Sequence, residues 1–102
     1  MADIDMTDLS KAIVLFLQYG SAKSPRADED RVIAEFGESK GRELLKRVHA
    51  IIEEANAIPV DWSKHTLASA GKLVRDEMHR RYPGLSDDAL DALAWKFTFD
   101  WR

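Results

Sequence analysis

The chain of 102 residues contains no cysteine. Without cysteine it can form no disulfide framework, no thiolate metal site and no cysteine nucleophile. Glycine and proline are also scarce, with 5 and 3 residues, and the composition is 45% hydrophobic and 32% charged. This balance is that of a soluble globular protein, because it is too apolar for a disordered chain. Since the length suits one domain of common size, we expect a single domain over residues 1–102.

Long hydrophobic runs are missing as well. The longest unbroken apolar run extends from Ala12 to Leu17, whereas a membrane-spanning helix needs about 20 residues. The first stretch carries three aspartates before its first lysine, Lys11, while a secretory signal begins with basic residues. We therefore expect a cytoplasmic protein that does not associate with a membrane.

Motifs for catalysis and for metal binding are absent from the sequence. The histidines His49, His65 and His79 lack the tight spacing of a zinc site such as HExxH. The acidic pairs fall on polar helix faces or at a helix start, where solubility and the helix dipole explain them. No serine stands in a glycine-flanked nucleophile elbow. We accordingly predict no enzyme, no cofactor, no metal ion and no small-molecule substrate.

Hydrophobic periodicity and capping residues predict an all-α domain of about five helices. The helices are expected over residues 7–19, 25–36, 39–57, 63–81 and 86–101. Ser24 before Pro25 is the start signal of the second helix. Ser63 is the start signal of the fourth helix, where Trp62 and Leu67 have the spacing of a hydrophobic staple. This staple lies in IPVDWSKH, the one loop with an apolar character.

The first and third helices are predicted to form the centre of the domain. The first is apolar almost all round, which is typical of a central helix; a short buried strand over residues 12–17 is the alternative. On the third helix the apolar residues fall within a wedge of about 120°. These residues are Leu44, Leu45, Val48, Ile51, Ile52 and Ala55.

The stretch WKFTFDWR places aromatic residues at alternate positions, which is typical of a half-buried strand. However, the preceding LSDDALDALA begins with Ser86 as a helix cap followed by two aspartates that suit the helix dipole. No glycine, proline or asparagine then interrupts the chain. We therefore predict a helix through residue 101, and a strand over residues 95–102 is the alternative.

A helix divides these aromatic residues between two faces. Phe97 and Trp101 continue the face of Leu90 and should join the core, whereas Trp95 and Phe99 point to the other side. That second face is either core in a helix sandwiched by its neighbours or an exposed contact surface. Because aromatic residues are enriched at protein interfaces, we take Trp95, Phe99 and Trp62 as the predicted interaction surface. The partner would be another protein or a second copy, in a homodimer joined through the first or last helix.

Positive charge is concentrated in one segment of this acidic chain. The chain has a net charge of −3, but residues 63–83 hold 5 basic and 2 acidic side chains, a net charge of +3. On the fourth helix the side chains that could contact an anion or nucleic acid share one face: Lys64, Lys72, Arg75 and His79, beside His65. A nucleic-acid-associated protein is thus the alternative function. We do not expect it, because Asp87 and Asp88 open the helix that would read the bases.

Overall fold

The computed structural model describes residues 5–101, which form five α-helices and no strand. The helices are α1 (Met6–Leu17), α2 (Glu29–Phe36), α3 (Glu38–Asn56), α4 (Leu67–Arg81) and α5 (Asp87–Trp101). The all-α prediction is confirmed. The alternatives of a strand over residues 12–17 or over residues 95–101 are wrong, and residue 102 lies outside the described part of the chain.

Three helices surround the hydrophobic core, because α1, α3 and α5 each contact the other two. The predicted centre of the first and third helices therefore includes the last helix as well. α2 packs on α1 and α3, and α4 packs on α5. The predicted wedge of α3 is buried in full: Leu44, Leu45, Val48, Ile51, Ile52 and Ala55. The same core cluster contains Ile13, Leu17, Leu90, Leu93 and Phe97.

The second helix begins at Glu29 rather than at residue 25. The carboxylate of Asp28 caps it by accepting a hydrogen bond from the backbone N–H of Arg31 at 3.2 Å. Residues 25–28, which were expected to form the first turn of the second helix, instead pass the C-terminal end of α1. There the N–H groups of Arg26 and Asp28 donate to the carbonyls of Leu17 and Phe16, at 3.0 and 2.9 Å. These bonds satisfy carbonyls that a helix end leaves without intrahelical donors.

The fourth helix begins at Leu67 rather than at residue 63. Thr66 and Ser69 cap it reciprocally: Oγ1 of Thr66 accepts from the N–H of Ser69 at 3.2 Å, and Oγ of Ser69 accepts from the N–H of Thr66 at 2.9 Å. Two free donors are thereby satisfied. Ser63 donates through its N–H and its hydroxyl to Oδ1 of Asp61 instead. With Leu67 in the first helical position, its expected staple with Trp62 does not form.

The start of α5 is as predicted, and it is anchored to α1. The N–H of Ala89 donates to Oγ of Ser86 at 3.1 Å. The N–H of Ser86 in turn donates to Oγ of Ser10 at 2.9 Å. Ser10 is buried on α1, so a contact between residues far apart in sequence positions the first turn of α5.

α4 approaches α5 closely where Gly71 has no side chain. A Cβ atom at this position would stand 2.7 Å from Cγ2 of Thr98. The hydroxyl of Thr98 donates to the carbonyl of Trp95 at 3.0 Å, which holds the threonine in its rotamer. Gly71 thus sets the distance between the two helices.

Candidate interaction surface

Three rings meet where the α3–α4 loop crosses the end of α5, and we call Trp62, Phe97 and Trp101 the aromatic cluster. Trp62 is stacked on Phe97 with ring centroids 6.2 Å apart and planes at 6°. The Trp101 ring lies 6.2 Å from Trp62 and 6.0 Å from Phe97, tilted by 34° to each. Phe97 is 1% exposed, while Trp62 is 43% and Trp101 52% exposed. The cluster is therefore a buried ring that carries two indoles open to solvent.

Polar contacts hold both sides of the cluster in place. Next to Trp101 on α5, Oδ2 of Asp100 accepts a hydrogen bond from Nδ2 of Asn56 at 2.7 Å, which joins the ends of α3 and α5. Lys96 donates to Oδ1 of the same carboxylate at 2.9 Å. Beside Trp62, the N–H and hydroxyl of Ser63 donate to Asp61, and these bonds lower the pKa of that carboxyl.

A groove of about 280 Å³ opens at the cluster. It is lined by Asn56, Ala57, Ile58, Pro59, Val60 and the three rings of the cluster. Among these lining residues Asn56 is the only polar one. Its Oδ1 is buried and has no hydrogen-bond partner within residues 5–101, which is uncommon for a buried polar atom. The groove therefore combines the aromatic and aliphatic surface of the loop and the cluster with the polar end of α3.

The two aromatic residues predicted on the second face of α5, Trp95 and Phe99, lie in different environments. Trp95 is half-buried against Tyr19, with ring centroids 5.4 Å apart. Phe99 is 37% exposed. The ring contacts of Trp62 include Phe97 and Trp101.

Trp101 was expected in the core, and that expectation is wrong. It lies in the last turn of α5, where Phe97 and Trp62 are the rings it contacts. The residues of α5 that share this face and are buried, Leu90, Leu93 and Phe97, lie earlier on the helix. Trp101 lies one turn after Phe97 and therefore extends past the core. Its terminal position and the apolar loop IPVDW were the signals available in the sequence.

The four basic residues predicted to contact an anion differ in their surroundings. Arg75 turns towards α5, where its Nε donates to Asp91 at 2.5 Å and its Nη2 to Asp87 at 3.3 Å. The hydrogen bond to Asp91 raises the pKa of this guanidinium. Lys72 pairs with Asp76 at 2.7 Å and remains exposed. Lys64 and His79 are exposed as well.

A hydrogen-bonded network that sequence reasoning missed joins the ends of α3 and α4. Glu54 accepts hydrogen bonds from Tyr82 at 2.5 Å and from Arg81 at 2.8 Å. Burial alone would raise the pKa of Glu54, but these two bonds lower it, and the bond to Glu54 raises the pKa of Tyr82. Arg80 and Arg81 both donate to Glu77, which lowers the pKa of Glu77 to about 2. Every carboxylate of the network is thus neutralised by a cation.

Neither metal ligation nor membrane insertion is indicated by the described part of the chain. Within residues 5–101, no three or more histidine, aspartate or glutamate side chains are grouped so that they could hold a metal ion. Over the same residues, none of the helices has both the length and the apolar character that crossing a bilayer requires. Comparison of the chain with protein-family models, with curated proteins and with solved structures gave no significant match.

Proposed function

We propose that this chain is a non-catalytic cytoplasmic module for protein–protein interaction, with the aromatic cluster as its contact surface. The observation that carries the proposal is the pair of indoles, Trp62 and Trp101, exposed side by side above the buried ring of Phe97. Tryptophan is the residue most enriched at the energetic centres of interfaces, together with tyrosine and arginine. Exposed apolar patches bordered by polar residues commonly mark such interfaces.

The order of the cluster before binding supports the same proposal. Trp62 is held by its stack on Phe97, and Trp101 belongs to a regular helix. The hydrogen bond between Asn56 and Asp100 fastens the helix ends beneath them. Because these side chains are already positioned, a partner would lose little of its binding energy to ordering them.

The composition of the groove supports a non-catalytic role. Its lining residues are apolar except for Asn56, and a neutral amide is neither a general acid nor a base. The location in the cytoplasm rests on the cysteine-free composition. Nucleic-acid binding through the fourth helix is the weaker candidate, because Arg75 and Lys72 are engaged by carboxylates.

The double substitution Trp62→Ser with Trp101→Ser tests the proposal. We expect a folded helical protein by circular dichroism that no longer co-purifies with the partner of the unmodified chain. If the partner is a second copy, light scattering should show the mass fall to that of a monomer. Phe99→Ser is the matched control, since it removes an exposed aromatic residue of α5 that does not line the groove. A folded double variant with unchanged partners and unchanged mass would refute the proposal.

A further inference from the structure

A pocket of about 300 Å³ opens where α1, α3 and the segment after α4 meet, and we call it the Arg47 pocket. Four of its lining residues are apolar, namely Met6, Leu9, Ala50 and Ile51. The polar lining residues are Arg47, Glu54 and Tyr82. None of the seven lines the groove at the aromatic cluster, so this is a separate site. Its volume lies at the lower end of the range for small-molecule sites, about 300–1,000 Å³.

Contacts within the protein form this pocket before a ligand enters it. The hydroxyl of Tyr82 donates to Oε1 of Glu54 at 2.5 Å, and its backbone N–H donates to the carbonyl of Met78 at 2.8 Å. The turn that follows Tyr82 lies against α1, since a Cβ atom at Gly84 would stand 3.0 Å from Cγ of Met6. A ligand would therefore lose little of its binding free energy to ordering these walls.

The carboxylate that lines the pocket is already engaged. Glu54 accepts hydrogen bonds at both of its oxygens, from Tyr82 and from Arg81. In the network at the ends of α3 and α4, the two cations Arg80 and Arg81 balance the two carboxylates Glu54 and Glu77. The network therefore contributes no net charge to the pocket.

Arg47 is a cation in addition to this balanced network. Its guanidinium forms neither a hydrogen bond nor an ion pair with any residue from 5 to 101. The hydrogen bond to Glu54 raises the pKa of Tyr82, whereas the positive charge of Arg47 acts in the opposite direction, so this charge reaches the hydroxyl at the pocket wall. Because Arg47 is also exposed, it is accessible to a ligand. The pocket thus has one unneutralised charge, and its sign is positive.

We propose that the Arg47 pocket binds a small carboxylic acid with a hydrocarbon tail, of the size of octanoate. A guanidinium offers parallel N–H donors that match the two oxygens of a carboxylate. Of the apolar lining residues, Met6 and Ala50 are accessible and contact the tail. The volume of about 300 Å³ is that of about ten water molecules, and octanoate has about as many non-hydrogen atoms. An amine fits less well, because Glu54 is already engaged and Arg47 repels a second cation. This site goes beyond the proposed contact surface and does not depend on it.

Titrations of the full chain with compounds that share the same hydrocarbon tail test the inference. Heteronuclear NMR should show saturable shifts of backbone amides at the pocket with octanoate, and at least about tenfold tighter binding than with 1-octanol or octylamine. Inorganic phosphate, which has negative charge without the tail, should bind at least about tenfold more weakly than octanoate. Equal affinities of octanoate, octanol and octylamine would overturn the inference. Phosphate binding as tight as octanoate, or no saturable octanoate binding in the millimolar range, would overturn it as well.

Variants of the full chain locate the binding in the pocket. Arg47→Gln should weaken octanoate by at least about tenfold and leave 1-octanol unchanged. Its matched control is Lys46→Gln, which removes the neighbouring exposed cation outside the pocket. Ala50→Trp fills the pocket and should abolish octanoate binding, whereas Ala68→Trp, at an exposed position of α4 outside the pocket, should preserve it.

Equal losses in a test variant and its control, or unchanged octanoate binding in folded Arg47→Gln, would contradict the inference. Circular dichroism verifies that each variant is folded, and Arg47→Gln changes only an exposed side chain, so this test remains decisive if Ala50→Trp does not fold.

The aromatic cluster provides the remaining comparison. Trp62→Ser with Trp101→Ser should bind octanoate like the unmodified chain, because neither indole lines the Arg47 pocket. Failure of the proposed function and failure of this inference are therefore distinguishable. Loss of octanoate binding in that double variant would move the site to the exposed indoles and overturn the inference.

Discussion

The indole of Trp62 lies parallel to the ring of Phe97, with 6.2 Å between centroids and 6° between planes. Trp62 belongs to the loop between α3 and α4, whereas Phe97 is fully buried on α5. The stack fastens a loop without regular secondary structure to the core, since an aromatic pair contributes about 0.5–1.5 kcal/mol beyond the area it buries. Trp101 contacts both rings from the last turn of α5, so loop and helix end form one surface.

Removal of either ring of this stack should lower stability, but by unequal amounts. Phe97→Ala empties a fully buried site and should cost about 3–5 kcal/mol in the free energy of unfolding. Trp62→Ala removes a ring that is nearly half exposed and should cost about 1–2 kcal/mol. Urea unfolding followed by circular dichroism measures both values. Lys46→Ala, exposed on α3, should stay within about 0.5 kcal/mol. Equal losses for the two aromatic variants would contradict the placement of Phe97 beneath Trp62.

Gly71→Ala should destabilise the protein although alanine is the better helix former. The added methyl group would stand 2.7 Å from Cγ2 of Thr98, so the helices must separate or the threonine must move. We expect a loss of about 1–3 kcal/mol in thermal or urea unfolding. In a Thr98→Ser background that methyl group is gone, and Gly71→Ala should become neutral or stabilising by up to about 1 kcal/mol. If the substitution has the same effect in both backgrounds, the contact between α4 and α5 is wrongly placed.

The start of α4 can be tested by removing one hydroxyl at a time. Thr66→Ala deletes the cap of Ser69 and should lower the free energy of unfolding by about 1 kcal/mol. Ser63→Ala removes a hydroxyl that donates to the exposed Asp61 and should change the free energy of unfolding by less than about 0.5 kcal/mol. Urea unfolding compares the two variants. If Ser63→Ala lowers the free energy of unfolding more than Thr66→Ala does, the fourth helix begins at residue 63 after all.

The stability of the folded chain should decrease in acid through Glu77. Hydrogen bonds from Arg80 and Arg81 lower its pKa from 4.5 to about 2 in the folded state. Because the folded-state pKa is depressed, the unfolded chain binds more protons between these values. The contribution to stability is therefore complete above about pH 4.5 and is lost as the pH falls towards 2.

Glu77→Gln should reduce the pH dependence in this window, because glutamine takes up no proton. Urea unfolding at a series of pH values from about 2 to about 5 measures the slope. Glu43→Gln is the matched control, since it removes a carboxylate that is exposed on α3 outside the network, and Glu77→Gln should change the slope more than this control does. A slope for Glu77→Gln that equals the unmodified slope would contradict the paired state of this carboxylate.

Local sequence determined which segments are helical and which side of α3 is buried. The wedge that includes Leu45, Val48 and Ile52 lies in the core as its spacing predicted. Ser86 caps α5, and the helix continues through the alternating aromatic residues because nothing interrupts it. Helix formation and capping depend on residues within one or two turns, so a short window of sequence contains the information that decides them.

Tertiary structure decided the start of α2, the exposure of Trp101 and the direction of Arg75, whereas the start of α4 is set locally by the reciprocal cap of Thr66 and Ser69. The segment before α2 is not helical, and the N–H of Arg26 donates to the carbonyl of Leu17 on α1. Trp62 stacks on Phe97 of α5 instead of forming the expected staple with Leu67, and the guanidinium of Arg75 donates to Asp91 of α5. In each of these cases the deciding contact joins residues on different elements. The energy of this contact exceeds the small local preference on which the sequence-based prediction depended. Such a contact cannot be predicted from neighbouring residues in the sequence, because its two partners lie far apart in the chain.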